Sequence, residues 1–150
     1  MVKHHFEQEQ LVRRSRPEVF AFFADAANLE RITPDSLHFE IRSPQPIAMR
    51  AGATIHYQLS LFGLKFRWRT LIESFEPETG FVDVQTKGPY RSWRHTHTFL
   101  DAPGGTLVRD HVEYEIPLGP LGELANRLFV ARQLRRIFDF RRTAIETAFA

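Results

Sequence analysis

"WRHTHTFLDAPGGTLVRDHVEYEI", Trp93–Ile116, alternates apolar and polar side chains on both sides of a short Pro-Gly-Gly segment. Alternation with a period of two is typical of β-strands, and a turn-rich break between two such runs predicts an antiparallel hairpin. We expect the more apolar face of each strand to point into the core. This condition requires paired residue numbers with an odd sum, and pairing Asp101 with Thr106 meets it while leaving residues 102–105 as a four-residue loop, a common hairpin length.

The predicted register brings polar side chains into the core between large rings. His97 is expected directly opposite Asp110, and residues so paired have Cβ atoms roughly 4.5–5.5 Å apart. The register sets three further pairs: His95 opposite Val112, Trp93 opposite Tyr114, and Phe99 opposite Val108.

Four interpretations of this polar cluster are open. It is a hydrogen-bonded pair inside a core, or the polar anchor of a ligand in a mostly apolar cavity. It is a catalytic pair in which Asp110 orients His97 as a general base. It is a metal site, with zinc the first metal to test, formed by His95 and His97 with Asp110 or Asp83 as third ligand. Because no further histidine or cysteine stands at diagnostic spacing, we expect neither a metal nor a cofactor.

Composition limits the class of protein. A chain of 150 residues with 43% apolar content fits one domain over residues 1–150. The absence of cysteine excludes disulfides and thiolate chemistry. A formal net charge of +2 gives no indication of nucleic-acid binding, and no apolar run suggests integral membrane association. The polar start "MVKHHFEQEQ" does not resemble a secretory signal, so we expect a cytoplasmic protein.

Elsewhere the pattern predicts strands around this hairpin and helices at two places. Strands are expected at 2–12, 37–43, 53–61, 64–72 and 81–86. One or two short helices are expected between Pro17 and Ile32, and a long helix from about Leu121 to Phe149. The long helix has an apolar arc formed by Leu124, Ala131, Leu134, Phe138, Ile145 and Phe149. This order of elements predicts an α+β domain with the long helix on the concave face of a curved antiparallel sheet.

Several stretches in order resemble the START-like, birch-pollen-allergen-like (SRPBCC) superfamily. They are "RPEVFAFFADAANLERITP", "MRAGATIHYQL", "FRWRTLIESFEP", "FVDVQTKGPYRSWRHTHTF" and "GGTLVRDHVEYEIPLG". Within the superfamily the chain is most similar to bacterial cyclase/dehydrase-like or ligand-binding members. The resemblance implies a helix-grip fold, in which a seven-stranded antiparallel sheet wraps around a long C-terminal helix and encloses a cavity. It does not imply one activity, since the superfamily includes lipid carriers, hormone receptors and polyketide cyclases.

Further residues are expected to line that cavity. Alternation alone leaves open which face Asp83 and Gln85 occupy, but the resemblance carried by "FVDVQTKGPY" favours the inner face. Arg141 falls within or beside the apolar arc of the helix, so its guanidinium either snorkels to water or points into the cavity. The full set of predicted ligand-binding residues is Tyr57, Trp68, Asp83, Gln85, Trp93, His95, His97, Asp110, Tyr114 and Arg141.

The outer side of the long helix has two features. Arg132, Arg135 and Arg136 lie mostly outside the apolar arc, and this pattern predicts a solvated face. Phe129 and Phe140 lie opposite the arc, where exposed rings indicate a partner or dimer contact. We therefore expect a monomer or a homodimer.

The leading functional hypothesis is a protein that binds or carries a small hydrophobic molecule with a polar or acidic head. His95, His97 and Asp110 would orient the polar end. The first alternative is a cofactor-free cyclase or dehydratase, a lyase or isomerase that uses His97 and Asp110 as acid and base. The second alternative is a module that acts through its surface.

Overall fold

The computed structural model describes residues 2–150, which form an antiparallel sheet and a long C-terminal helix. The strands are β1 (His4–Val12), β2 (Glu40–Ile41), β3 (Thr54–Leu61), β4 (Leu64–Glu76), β5 (Gly80–Lys87), β6 (Ser92–Ala102) and β7 (Gly105–Glu115). Helix α1 (Arg16–Phe23) and 3₁₀ turns at Ala26–Leu29 and Asp35–Leu37 follow β1. The long helix consists of α2 (Gly119–Ala125), a π-helical turn (Asn126–Val130) and α3 (Ala131–Ala148).

Within residues 2–150 the seven strands form one sheet in the order β1-β7-β6-β5-β4-β3-β2, with every neighbouring pair antiparallel. Consecutive strands from β2 to β7 are neighbours, and the first strand pairs with the last. The short helices between β1 and β2 provide the crossover from one edge of the sheet to the other. The predicted α+β helix-grip fold is confirmed.

The predicted register of the β6–β7 hairpin is also confirmed, but its turn is shorter than expected. Asp101 pairs with Thr106 as predicted, and Ala102 pairs with Gly105, so the turn contains Pro103 and Gly104 instead of four residues. Gly104 has φ +87°. A two-residue turn with proline first and a left-handed glycine second is the sequence preference of a type II turn.

The strand predicted over residues 37–43 is mostly absent. Leu37 ends a 3₁₀ turn and His38 adopts a left-handed conformation with φ +48°, so pairing begins only at Glu40. Leu37 and Ile41 are nevertheless buried. The alternation in this segment therefore reflected burial of side chains and not strand pairing.

The π-helical turn changes which residues of the long helix face the core. A π-turn holds an extra residue, so it rotates the preceding α2 by about 100° relative to α3. Leu124, predicted to lie on the apolar arc, is 49% exposed. Asn126 is buried in its place and its side-chain oxygen accepts a hydrogen bond from Tyr114 Oη at 2.9 Å.

Two apolar clusters attach this helix to the sheet. Phe99 is fully buried and packs with Phe20, Phe23 and Ile145 near the C-terminal end of α3. The other cluster joins β7 to the middle of the helix through Val112, Tyr114, Ile116, Leu134 and Phe138. No helix among residues 2–150 is long and apolar enough to span a membrane.

Because Phe99 has no exposed surface and contacts rings from α1 and β5, we expect Phe99→Ala to lower the free energy of unfolding by about 3–5 kcal/mol. The matched control is Phe129→Ala, which removes the same atoms from a ring that is 57% exposed. Urea unfolding measures both changes. Equal losses in the two variants would contradict the proposed core.

Candidate functional site

A cavity lies under the long helix, between α3, the short helices that follow β1 and the concave face of the sheet. Its volume is about 160 Å³. An apolar protein cavity of about 150 Å³ holds one benzene molecule. The cavity as it stands therefore matches a ligand of about one aromatic ring.

Most of the cavity wall is apolar, and sequence analysis missed a large part of it. The short helices and α3 contribute Phe22, Phe23, Leu29, Ile32, Leu134 and Phe138. The helical spacing assigned several of these residues to apolar faces. Spacing alone does not distinguish a side chain packed in the core from one that borders a cavity.

The polar part of the wall comes from three adjacent strands. On the concave face, Asp83 of β5 stands opposite His95 of β6, and His97 of β6 stands opposite Asp110 of β7. The backbone positions predicted for His97 and Asp110 are therefore confirmed. All four side chains have small exposed fractions, between 5% and 15%.

The hydrogen bonds of this cluster run along the diagonals and not between directly opposed residues. His97 Nε2 is 2.5 Å from an oxygen of Asp83, and His95 Nε2 is 2.7 Å from an oxygen of Asp110. His97 Nδ1 is 3.6 Å from Asp110, too far for a hydrogen bond. The expected His97–Asp110 hydrogen-bonded pair is thus replaced by two diagonal pairs.

Ring stacking explains the diagonal arrangement. The imidazoles of His95 and His97 stack with centroids 3.6 Å apart, and Phe81 stacks on the other face of His97 at 4.1 Å. Face-to-face packing fixes the planes of the imidazoles, so each ring meets a carboxylate only at its edge. Carboxylates on diagonal positions of a sheet are within reach of such long side chains.

The charges in the cluster follow from these contacts. Burial raises the pKa of Asp83, but the hydrogen bond from His97 and the positive charge of Arg141 help to outweigh it, and that pKa lies below its usual value. Burial also raises the pKa of Asp110, but the charge of Arg141 and the His95 hydrogen bond outweigh burial and hold that pKa low. Burial and the neighbouring His95 lower the pKa of His97 to about 4. At neutral pH both carboxylates are ionised and His97 is neutral, with Nε2–H donating to Asp83.

Arg141 enters the cavity from α3 and is only 9% exposed. Its guanidinium lies over the rings of Phe23 and Phe138, at 5.4 and 5.5 Å from their centroids. Nη2 is 3.7 Å from Asp110 Oδ1, which makes an ion pair but not a hydrogen bond. Nε has no hydrogen-bond partner among residues 2–150.

The structure places the remaining predicted residues as follows. Tyr57, Trp68 and Trp93 border the cavity, and the hydroxyl of Thr70 is hydrogen-bonded to both Tyr57 and Trp68. Gln85 follows Asp83 on the inner face but does not border the cavity. Its side-chain amide is held elsewhere, since Nε2 donates to the carbonyl of Tyr90 and Oε1 accepts from the backbone N–H of Tyr90.

Two other predicted residues do not border the cavity. Asp110 lies behind His95 and Arg141, where it pairs with both. Tyr114 is buried in the core beside Asn126, since the π-turn brings that amide within reach of its hydroxyl.

Among residues 2–150, two groups of side chains have donor atoms close enough to bind one metal ion. Asp83, His95 and His97 form the inner group, and His5, His111 and Glu113 form a group on the outer face of β1 and β7, with donor atoms within 4.8 Å of one another in each. In the inner group both Nε2 atoms already bond to carboxylates, and the stacked rings point their nitrogens along parallel planes. An ion held by Asp83, His95 Nδ1 and His97 Nε2 would replace the His97–Asp83 hydrogen bond and could leave the His95–Asp110 hydrogen bond in place.

Several solved structures have the same fold at low sequence identity. The protein TTHA0849 from Thermus thermophilus has a TM-score of 0.75 at 16% identity, over 98% of this chain and 100% of that chain. Major latex-like protein 151 from Panax ginseng has a TM-score of 0.67 at 12% identity, over 100% and 99% of the two chains.

A third structure is the di-domain ARO/CYC protein StfQ from the steffimycin biosynthetic pathway, with a TM-score of 0.74 at 17% identity. It matches 99% of this chain, which spans 51% of StfQ. No curated protein sequence gives a significant match. A family model described as polyketide cyclase/dehydrase and lipid transport matches residues 12–140, and the chain therefore belongs to this family.

Proposed function

We propose that the protein binds and carries a small hydrophobic molecule of about one aromatic ring, with an uncharged polar head that accepts a hydrogen bond from Arg141. The observation that carries this proposal is the buried guanidinium at the wall of an apolar cavity, with Nε unpartnered among residues 2–150. Leaving such a donor without an acceptor costs free energy. A bound acceptor would remove that cost.

The neighbours of Arg141 favour an uncharged head over the acidic head expected from sequence. Asp83 borders the same cavity and is ionised, and Asp110 already balances the charge of Arg141. A ligand carboxylate would add a third negative charge in a poorly solvated space, which is costly without a further cation. A carbonyl or phenol oxygen accepts the same hydrogen bond without that charge.

His97 gives a second reason to favour a phenol. Since Nε2–H donates to Asp83, Nδ1 of the neutral ring carries a lone pair, and it has no hydrogen-bond partner among residues 2–150. Nδ1 of His97 and Nη2 of Arg141 lie 3.6 and 3.7 Å from the same oxygen of Asp110. Because His97 and Arg141 both border the cavity, a phenol that reaches both side chains would accept from Arg141 and donate to His97.

Ligands of matched size test the head group. We expect 4-ethylphenol to raise the melting temperature of the protein more than 4-ethylbenzoate or 1,4-diethylbenzene, because it alone combines the ring with an uncharged acceptor and donor. Thermal unfolding at a fixed ligand concentration measures the order. A larger shift with the carboxylate would contradict the uncharged head and restore the acidic one.

Removing the guanidinium identifies the residue that holds the head. Hydrogen bonds to charged groups contribute about 1.5–3 kcal/mol, so Arg141→Met should weaken 4-ethylphenol binding about 10–100-fold. The control is Arg135→Met, which removes an exposed arginine from the same helix. Calorimetric titration gives the affinities. If the two variants bind equally well, Arg141 does not contact the ligand.

The lowered pKa of His97 predicts how stability depends on pH. In the unfolded chain this histidine titrates near 6.5, whereas in the folded chain it titrates near 4. Between these values the unfolded state binds the extra proton, so stability falls as the pH drops through this window. We expect the free energy of unfolding to be about 3 kcal/mol lower at pH 4 than at pH 7 through this residue.

His97→Gln keeps a donor for Asp83 but does not titrate, so its stability should change less over the same pH range. The control is His56→Gln, at an exposed position of β3. Urea unfolding at a series of pH values measures the difference. The same pH profile in wild type and His97→Gln would show that His97 is not held neutral.

A second candidate function is catalysis, favoured by the hydrogen bond that orients His97. Nε2 of His97 donates a hydrogen bond to a carboxylate while Nδ1 is free to accept a proton, which is the arrangement of a general base. The orienting carboxylate is Asp83 and not Asp110. Trp93→Ala and His97→Gln separate the two functions once a ligand is known.

For a carrier, Trp93→Ala should weaken binding most, because the ring contributes contact area. For an enzyme, His97→Gln should lower turnover about 10²–10⁴-fold with affinity nearly unchanged. Steady-state kinetics and titration of the same ligand decide between these outcomes.

A further inference from the structure

We propose that one exposed surface of the protein docks on anionic membranes. We name it the Phe62–Phe129 surface. It is a groove between the Asp35–Leu37 turn, the β3–β4 hairpin and the long helix, with four exposed large apolar side chains and three cations. The apolar members are Phe62, Leu128, Phe129 and Phe140, and the cations are Lys65, Arg132 and Arg136.

The apolar side chains of this surface are unusually accessible. Phe62 and Phe129 are 58% and 57% exposed, and their ring centroids lie 6.4 Å apart across the groove. Leu128 and Phe140 are 48% and 41% exposed. Single exposed apolar residues are ordinary, but a contiguous group with a polar rim marks an interaction site.

The cations define the charge of what binds there. Arg132 and Arg136 lie one helical turn apart on the same face as Phe129, and Lys65 follows the hairpin turn. None of the three forms an ion pair with any residue in the described range 2–150. The groove residues identified over that range include no carboxylate. A partner must therefore combine apolar material with negative charge.

An anionic lipid surface fits these properties better than a second copy of the chain. A symmetric dimer through this groove would bring two sets of unpaired arginines together, which is unfavourable. Phe62 and Phe129 project more than half of their surface from the protein, so a flat interface can take them up. Exposed aromatic and leucine side chains bordered by Lys and Arg are the composition of helices that lie in a membrane interface.

The docking surface adjoins the ligand cavity. Leu37 and Ile137 contribute to the walls of both, so the groove and the cavity share a wall at this point. A hydrophobic molecule dissolved in the bilayer would meet the protein at this wall. Docking itself does not depend on the proposed function, and vesicle binding can be present or absent whatever the cavity holds.

Co-sedimentation with vesicles tests the proposal. We expect wild-type protein to bind vesicles of phosphatidylcholine mixed with phosphatidylglycerol and to bind pure phosphatidylcholine vesicles much less. Added salt should weaken binding, since surface charges are screened. Each cation near an anionic surface contributes about five-fold in affinity, so Arg132→Glu/Arg136→Glu should lower binding at least about 25-fold.

Two further variants complete the test. Phe62→Ser/Phe129→Ser should also abolish vesicle binding while the urea unfolding midpoint stays near that of wild type, because both rings are exposed. The control Arg13→Glu/Arg50→Glu makes the same charge change at exposed arginines outside the groove and should keep most of the binding.

Equal sedimentation with both kinds of vesicle would overturn the proposal, as would equal binding by wild type and the two groove variants. If the protein does not bind vesicles but dimerises as its concentration rises, and Phe62→Ser/Phe129→Ser abolishes the dimer, the surface would be assigned to a second copy of the chain instead. Binding of an acidic peptide without any vesicle binding would assign it to a protein partner.

Discussion

A buried guanidinium that the protein leaves partly unpaired is the constraint on which the site depends. Arg141 is held between two phenylalanine rings and attracted by Asp110, so it cannot turn away to water. Asp110 in turn accepts a hydrogen bond from His95. The ring of His95 stacks on that of His97, and His97 donates a hydrogen bond to Asp83. Removal of any one of these groups would leave a buried charge or donor without its partner, a change that typically costs several kcal/mol. The cluster therefore fixes α3 against the strands β5, β6 and β7.

Under the proposed function, the same cluster would make the cavity selective. Its walls are apolar and its volume of about 160 Å³ limits the body of a ligand. The end near Arg141 and His97 offers charged and imidazole groups, and the ionised Asp83 disfavours a further anion there. Binding and proton transfer would use the same side chains, because a group that orients a phenol is also placed to accept its proton. Affinity and turnover must therefore be measured on the same variants.

Much of the fold and part of the site could be predicted from sequence. Alternation in Trp93–Ile116 limited the β6–β7 register to pairings that bury both apolar faces, and a common hairpin loop length selected the one that the structure has. That register was enough to place His97 opposite Asp110. It could not reveal the diagonal hydrogen bonds, since these depend on how the imidazole planes stack against Phe81. The sequence also could not reveal the π-turn, because no residue type in "NRLFV" indicates one. This turn exposes Leu124 and buries Asn126.

The position of Arg141 illustrates the same limit. Helical spacing placed it near the apolar arc but could not distinguish a guanidinium that reaches water from one that faces the cavity. The most direct test of the account is a crystal structure of the protein with a bound single-ring phenol. We predict the ring between α3 and the sheet, with its oxygen within hydrogen-bond distance of the Arg141 guanidinium. A phenol bound elsewhere, or one whose oxygen turns away from Arg141 toward solvent, would contradict the central claim.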